Sequence, residues 1–267
     1  MAAVKEVFRR DAGPVATIWL NRPDKLNALS PDVFVELGRL VRAAAQDPAV
    51  QVVVLRGEGR AFAAGADIGV YVDLPESGFK DLIDAARLAV DEFALCPKPV
   101  VAAVRGFALG GGFELVLACD LVVAATNARF GLPEAGLGLL PGGGATQRLP
   151  RLVGRLRANE LILTRRILTA AEAHAWGLVN RLCEPAELDA AVDRLVAELL
   201  GSAPGARALG KRLIAAASEH PLAAGLIEER DTTAPLIATS DGREGVTAFV
   251  EKRPPRFGGS PSAPPGL

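Results

Sequence analysis

Apolar and polar positions change period several times along the chain, and the changes mark its elements. "VATIWLN" (15–21) and "VQVVVLRG" (50–57) are rich in β-branched residues, end in turn residues and predict strands. Between them "SPDVFVELGRLVRAAAQD" opens with Ser30 as an N-cap and Pro31 at the first helical position, then repeats apolar residues at helical spacing. "PVVAAVRG" (99–106) and "DLVVAAT" (120–126) are short continuous apolar runs, the pattern of strands covered on both faces. From about residue 185 four helical segments follow, "PAELDAAVDRLVAELLGS", "GARALGKRLIAAASEHP", "AAGLIEERDTTAPLIATS" and "DGREGVTAFVEKRPPRF", before a Gly/Ser/Pro stretch that reads as a disordered tail. The alternation predicts an α/β class with a covered sheet. The expected division is a core over 1–200, a helical region over 201–257 and a tail over 258–267.

Composition narrows the function classes. Half of the 267 residues are hydrophobic and 23% are charged, so a sizeable core is within reach. A net charge of -1 argues against a general nucleic-acid or membrane-surface role. No apolar run approaches the roughly 20 residues of a membrane helix. The first residues lack a signal peptide's apolar segment, and Glu6 and Asp11 suit an organelle transit peptide poorly. Cys96, Cys119 and Cys183 have no metal-ligand spacing and read as reduced thiols, so the expected location is cytoplasmic. With only His174 and His220, both read as structural or solvated, acid–base chemistry should rest on carboxylates.

Three stretches carry candidate chemistry. "RGFALGGGFELVLACD" (105–120) sets Gly110, Gly111 and Gly112 ahead of Glu114 inside an apolar run. Glycines at the mouth of a helix leave N–H groups facing outward with the helix dipole behind them, which suits a negative oxygen; a tight turn making room for a crossing helix is equally compatible. "GRAFAAGADI" (59–68) offers a second small-residue backbone, Ala63 through Ala66, before Asp67. "RFGLPEAGLGLLPGGGATQRLPRLVG" (129–154) places Glu134 among small and apolar residues. Two glutamates in water-excluding surroundings form a credible acid–base pair, because burial and mutual repulsion keep one protonated near neutral pH.

Together "LNRPDKLNAL", "AFAAGADI", "GFALGGGFELVLACDLVVAATNARFGLPEAGLGLLPGGGATQRLPRLVG" and "FVEKRPPRF" resemble the crotonase (enoyl-CoA hydratase/isomerase) family, in order and over nearly the whole chain. The resemblance implies a spiral of ββα units with a helical C-terminal trimerisation region, as a trimer or a dimer of trimers. It implies that the backbone N–H groups of Ala66 and Gly111 hold a thioester oxygen, and that a β-carbon at Gly111 would crowd that approach. It further implies that Glu114 takes a proton from water while Glu134 supplies one to the α-carbon. For coenzyme A it implies Arg22 and Lys25 near the phosphates. Backbone from Ala64 through Ala66 and Asp67 to Ile68 would lie along the adenine and pantetheine, with Phe249 and Lys252 reaching the coenzyme. The implied activity is reversible syn hydration of trans-2-enoyl-CoA, in fatty-acid β-oxidation, with no metal or redox cofactor. Alternatives are a Δ3,Δ2-enoyl-CoA isomerase, a hydratase of a branched or aromatic enoyl-CoA, or a non-catalytic acyl-CoA- or RNA-binding protein. "KDLIDAARLAVDEF" has two basic residues, Lys80 and Arg87, against four acidic ones, which disfavours RNA. Residues 71–93 are expected to shape the acyl end of the pocket, so chain length stays open.

Overall fold

The computed structural model describes residues 5–258. All of the expected disordered tail except Gly258 lies outside the described residues. The chain opens with a hairpin, β1 (Val7–Ala12) and β2 (Val15–Leu20), paired antiparallel from Val7↔Leu20 to Ala12↔Val15. β1 is a strand the apolar pattern did not mark, since "VFRRDA" lies at the sheet edge and buries only Val7.

Four parallel neighbours extend this sheet: β3 (Val52–Gly57), β4 (Val100–Val104), β6 (Leu121–Ala125) and β9 (Arg181–Cys183). Every residue of β4 is buried, as its unbroken apolar run requires of a strand covered on both faces. A second, three-stranded sheet joins β5 (Phe107–Leu109), β7 (Arg129–Gly131) and β8 (Ile167–Thr169). These strands have three residues each, too short for a period-two signal.

The two sheets are built by repetition. After β2 the chain makes a one-residue bridge at Leu29 and enters α1 (Pro31–Gln46), where the Ser30 hydroxyl accepts a hydrogen bond from the Val33 N–H. After β3 it bridges through Ala63 and Ala66 before α2 (Glu76–Leu95). After β4 come β5 and α3 (Gly111–Leu117), and after β6 come β7 and α4 (Ala145–Val153). Each turn thus contributes a long strand, a short inner strand or bridge, and a helix: the ββα spiral. The bridges stack neighbouring turns, Leu29 on Ala66 and Ala63 on Ala108. Because each inner strand runs directly toward its helix, backbone from successive turns meets at the helix starts. α5 (Arg155–Thr164) and α6 (Ala170–Ala175) complete this part, α6 opening with a reciprocal cap between Thr169 and Glu172.

The described residues form two compact units, 5–96 with 100–193, and 97–99 with 194–258. The first holds a continuous core, with Phe62, Phe93, Phe113 and Phe130 among its largest fully buried side chains. The second holds the end of α7 (Leu188–Leu200), then α8 (Pro204–Ala216), α9 (Leu222–Thr233) and α10 (Ser240–Val250). Leu222, Leu226, Ile227, Ile237, Phe249 and Val250 are exposed there. No helix among the described residues is long and apolar enough to cross a membrane. On α2, Lys80 and Arg87 each pair with an acid one turn on, Asp84 and Asp91, so this face presents no free basic stripe.

Candidate active site

Two backbone segments from neighbouring turns of the spiral lie against each other. The Ala63 N–H donates to Phe107 O at 2.9 Å, and the Leu109 N–H donates to Ala63 O at 3.0 Å. Just beyond, a β-carbon placed on Gly110 would stand 3.6 Å from Gly65 Cα, so the residues preceding Ala66 and Gly111 are in contact. Gly110 has φ +50°, a region that L side chains rarely adopt. At Gly112 a β-carbon would come within 2.4 Å of Ala63 O, so only glycine allows this approach.

The approach leaves two amides unused. The Asp67 N–H donates to Leu29 O at 2.9 Å and the Leu29 N–H to Gly65 O at 2.8 Å. These pin the chain on both sides of Ala66 while its own N–H has no hydrogen-bond partner among the described residues. Gly111 is the first residue of α3, where an N–H has no partner within the helix. The structure corrects one expectation here. A β-carbon on Gly111 would meet Leu29 Cδ1 at 3.3 Å and Phe34 Cζ at 3.4 Å, in the core, instead of crowding a ligand's approach.

Both glutamates belong to this place. Glu114 lies one turn into α3 and is only 4% exposed. Its Oε1 accepts from the Ala145 N–H at 2.9 Å, so a carboxylate from one turn of the spiral caps α4 of the next. Burial pushes its pKa up, opposed by the N–H groups of Ala145, Gly143 and Gly144 and by the charge of Arg148. Arg148 is fixed by Asp91 at 2.5 Å and by Gly143 O at 2.9 Å. Glu134 opens a one-turn 3-10 helix, Glu134–Leu137, and its Oε1 would stand 2.7 Å from a β-carbon on Gly110. Its Oε2 is buried with no hydrogen-bond partner among the described residues. Burial, with a further push from the charge of Glu114, raises its pKa to about 7. Two carboxyl groups in one electrostatic neighbourhood therefore have different support: Glu114 is surrounded by donors, Glu134 has an empty oxygen.

The remaining expected residues separate. Lys25 is 56% exposed, with its ammonium 3.7 Å from Asp67 Oδ2. Arg22 is not available to a phosphate: it is 8% exposed and its guanidinium is committed to Glu6, Asp67 and Ala28 O. Ala64 is half-buried, its N–H donating to Leu26 O at 3.0 Å, and Ile68 is exposed. Phe249 and Lys252 are exposed at the end of α10 in the second unit.

Sequence reasoning missed Asn27 and Tyr71. Asn27 is buried at φ +57°, accepts from the Arg22 N–H at 2.8 Å, and donates to Glu58 O and Ala61 O at 2.9 and 2.8 Å. Tyr71, the sole tyrosine, packs edge-on against Phe79 with centroids 5.2 Å apart. Burial, then the charges of Glu134, Glu114 and Asp67, push its phenol up to about 12. No periodicity marks either residue; a polar Asn inside "RPDKLNAL" was the only available signal.

Chemically, the arrangement offers two backbone N–H groups as donors to an anionic oxygen and two carboxyl groups nearby that exchange protons. The sequence matches the enoyl-CoA hydratase/isomerase family model over residues 10–260. A crotonyl-CoA hydratase of Syntrophomonas wolfei is 39% identical, over 96% of this chain and 98% of its own. A short-chain-enoyl-CoA hydratase of Clostridium acetobutylicum is 38% identical, over 94% of this chain and 96% of its own. The crystal structure of an enoyl-CoA hydratase from Bacillus anthracis superposes with a TM-score of 0.92 at 35% identity, over 97% of this chain and 100% of that one. With the spiral, the paired amides and a family match across nearly its whole length, this chain belongs to the enoyl-CoA hydratase/isomerase family.

Proposed function

We propose that the chain is a 2-enoyl-CoA hydratase, adding water syn and reversibly to trans-2-enoyl-CoA to give 3-hydroxyacyl-CoA. One observation carries this reading: a donor-rich glutamate and a glutamate with a buried oxygen lie beside two backbone N–H groups, and neither that oxygen nor those N–H groups has a partner among the described residues. The thioester oxygen lies between the N–H groups of Ala66 and Gly111. As negative charge moves onto it, these pre-aimed donors stabilise the enolate, and one such donor is worth roughly 10²–10³ in rate.

The proton roles follow the family resemblance. Glu114, whose burial raises its pKa against the opposing pull of three backbone donors and Arg148, takes a proton as water's oxygen bonds to C3. Glu134, raised to about 7, still holds a proton near neutral pH and delivers it to C2. The cycle closes when the proton gained by Glu114 returns to Glu134. The pair titrates as a unit, so the roles describe the route of one proton through both groups. No metal or redox cofactor enters this scheme.

The names of the two relatives favour a short acyl chain, and hydration of a trans-2-enoyl-CoA is the step the protein would supply to fatty-acid β-oxidation. The exposed apolar side chains of α9 and α10 support self-association; the trimer or dimer of trimers is what the family resemblance implies, and the cytoplasmic location follows from the sequence alone. Both glutamates favour hydration over double-bond migration, which needs no activated water. Loss of conjugated enoyl-thioester absorbance across a series of trans-2-enoyl-CoA chain lengths tests the reading. If no member of the series loses absorbance while a 3-enoyl-CoA gains it, the isomerase reading replaces this one.

A further inference from the structure

We propose that Arg22 is a positioning residue for the anion site: it rivets the two segments that flank Ala66 and so fixes the direction of the Ala66 N–H. This rests on the anion site proposed above. Arg22 sits at the mouth of β2 and is buried although it carries a full charge. Each of its three guanidinium nitrogens is engaged. Nε meets Glu6 Oε1 at 3.0 Å, Nη1 donates to Ala28 O at 2.6 Å, and Nη2 meets Asp67 Oδ2 at 2.9 Å.

Two of those partners are the immediate neighbours of the Leu29–Ala66 bridge. Ala28 precedes Leu29, and Asp67 follows Ala66. Leu29 in turn holds Gly65 O and the Asp67 N–H. One planar guanidinium therefore ties both strands of the bridge at the point where the second presents its free amide. Arginine's rigid fork suits this, whereas a lysine ammonium cannot span the same acceptors with fixed geometry. The loop beneath it is held too, because the Arg22 N–H donates to the buried Asn27.

Charge adds a second reason. Asp67 puts a carboxylate one residue from a site meant to gather negative charge. Without Arg22 that carboxylate is left with Lys25 at 3.7 Å, and its repulsion falls on the developing oxyanion. Losing the rivet frees the segment as well, and a misplacement near 1 Å of a group aimed at a reacting atom can cost on the order of 10²-fold. A phosphate ligand, by contrast, needs free donors at the surface, which Lys25 has and Arg22 lacks.

The test uses the full-length protein with Arg22→Lys, Arg22→Met and the double variant Arg22→Met/Asp67→Asn. Butyryl-CoA, a saturated thioester that cannot be hydrated, serves as the probe. Infrared difference spectra should show its carbonyl stretch lowered on binding to the parent, and at least half of that shift lost in both single variants. Turnover of crotonyl-CoA should fall about 10–100-fold in kcat, and by the same factor for crotonyl-pantetheine, which has no phosphate. Adding Asp67→Asn should recover part of the shift and of kcat. An unchanged carbonyl shift in both single variants overturns the proposal, as does a loss confined to KM for the CoA ester. A parent that polarises butyryl-CoA but hydrates no enoyl thioester refutes the hydratase reading alone, and the infrared comparison still decides the role of Arg22.

Discussion

Glu134→Gln should lower turnover by orders of magnitude and yet stabilise the fold at alkaline pH. The carboxyl rises from 4.5 to about 7 on folding, mainly through burial and secondarily through the charge of Glu114. Between these values the folded state keeps a proton that the unfolded chain has released, so stability falls as pH rises through that window and levels off above it. Taken in full the shift corresponds to about 3 kcal/mol. Glu134 keeps some contact with solvent, which screens the effect to about 1–2 kcal/mol. Glutamine preserves the shape and carries no charge, so it removes the cost. Urea denaturation of both proteins, at one protomer concentration because self-association would shift the midpoint, should show the variant more stable by about 1–2 kcal/mol at pH 8.5. At pH 4.5 the two should agree within about 0.5 kcal/mol. A variant no more stable at pH 8.5, or equally stabilised at both pH values, would mean that Glu134 is solvated and unsuited to hold its proton.

The same titration should appear in kinetics: kcat/KM for hydration falls as pH rises through about 7, because the acid form of Glu134 is lost, and a profile flat from pH 6 to 9 would contradict this. Gly112→Ala, whose new carbon would meet Ala63 O at 2.4 Å, should lower stability by about 1–3 kcal/mol in thermal melts. Gly111→Ala, meeting only the tips of Leu29 and Phe34, should cost less, and the reverse order would show the backbone approach to be misjudged. Because Tyr71 is the sole tyrosine, alkaline absorbance reports it alone: the folded protein should show almost no phenolate at pH 10.5, while the denatured chain titrates near 10.

Much of this was legible in the sequence because its signals are local. Ser30 and Pro31 start α1 where the capping pattern placed it, and β4 is the buried strand its apolar run predicted. Helix α3 begins at Gly111, inside the glycine turn that the sequence puts at the mouth of a helix. The inner strands were invisible, because three-residue strands and one-residue bridges take their stability from neighbouring turns of the spiral. That hidden layer is what aligns Ala66 with Gly111. Sequence also named Glu114 and Glu134 but could not distinguish them; the difference is set by the N–H groups of residues 143–145, which reach Glu114 across the fold. Arg22 misled for a related reason: a basic residue in a loop resembles a phosphate ligand until Asp67, far along the chain, is seen to occupy it.

The central claim is that both carboxyl groups handle protons while the backbone amides hold the thioester. Parent, Glu114→Gln and Glu134→Gln should therefore be compared on crotonyl-CoA for turnover and on butyryl-CoA for binding by calorimetry. The account predicts kcat lower by roughly 10²–10⁴ in each variant, with butyryl-CoA affinity within a few-fold of the parent. Undiminished turnover in both variants, or affinity falling as steeply as turnover, would contradict it.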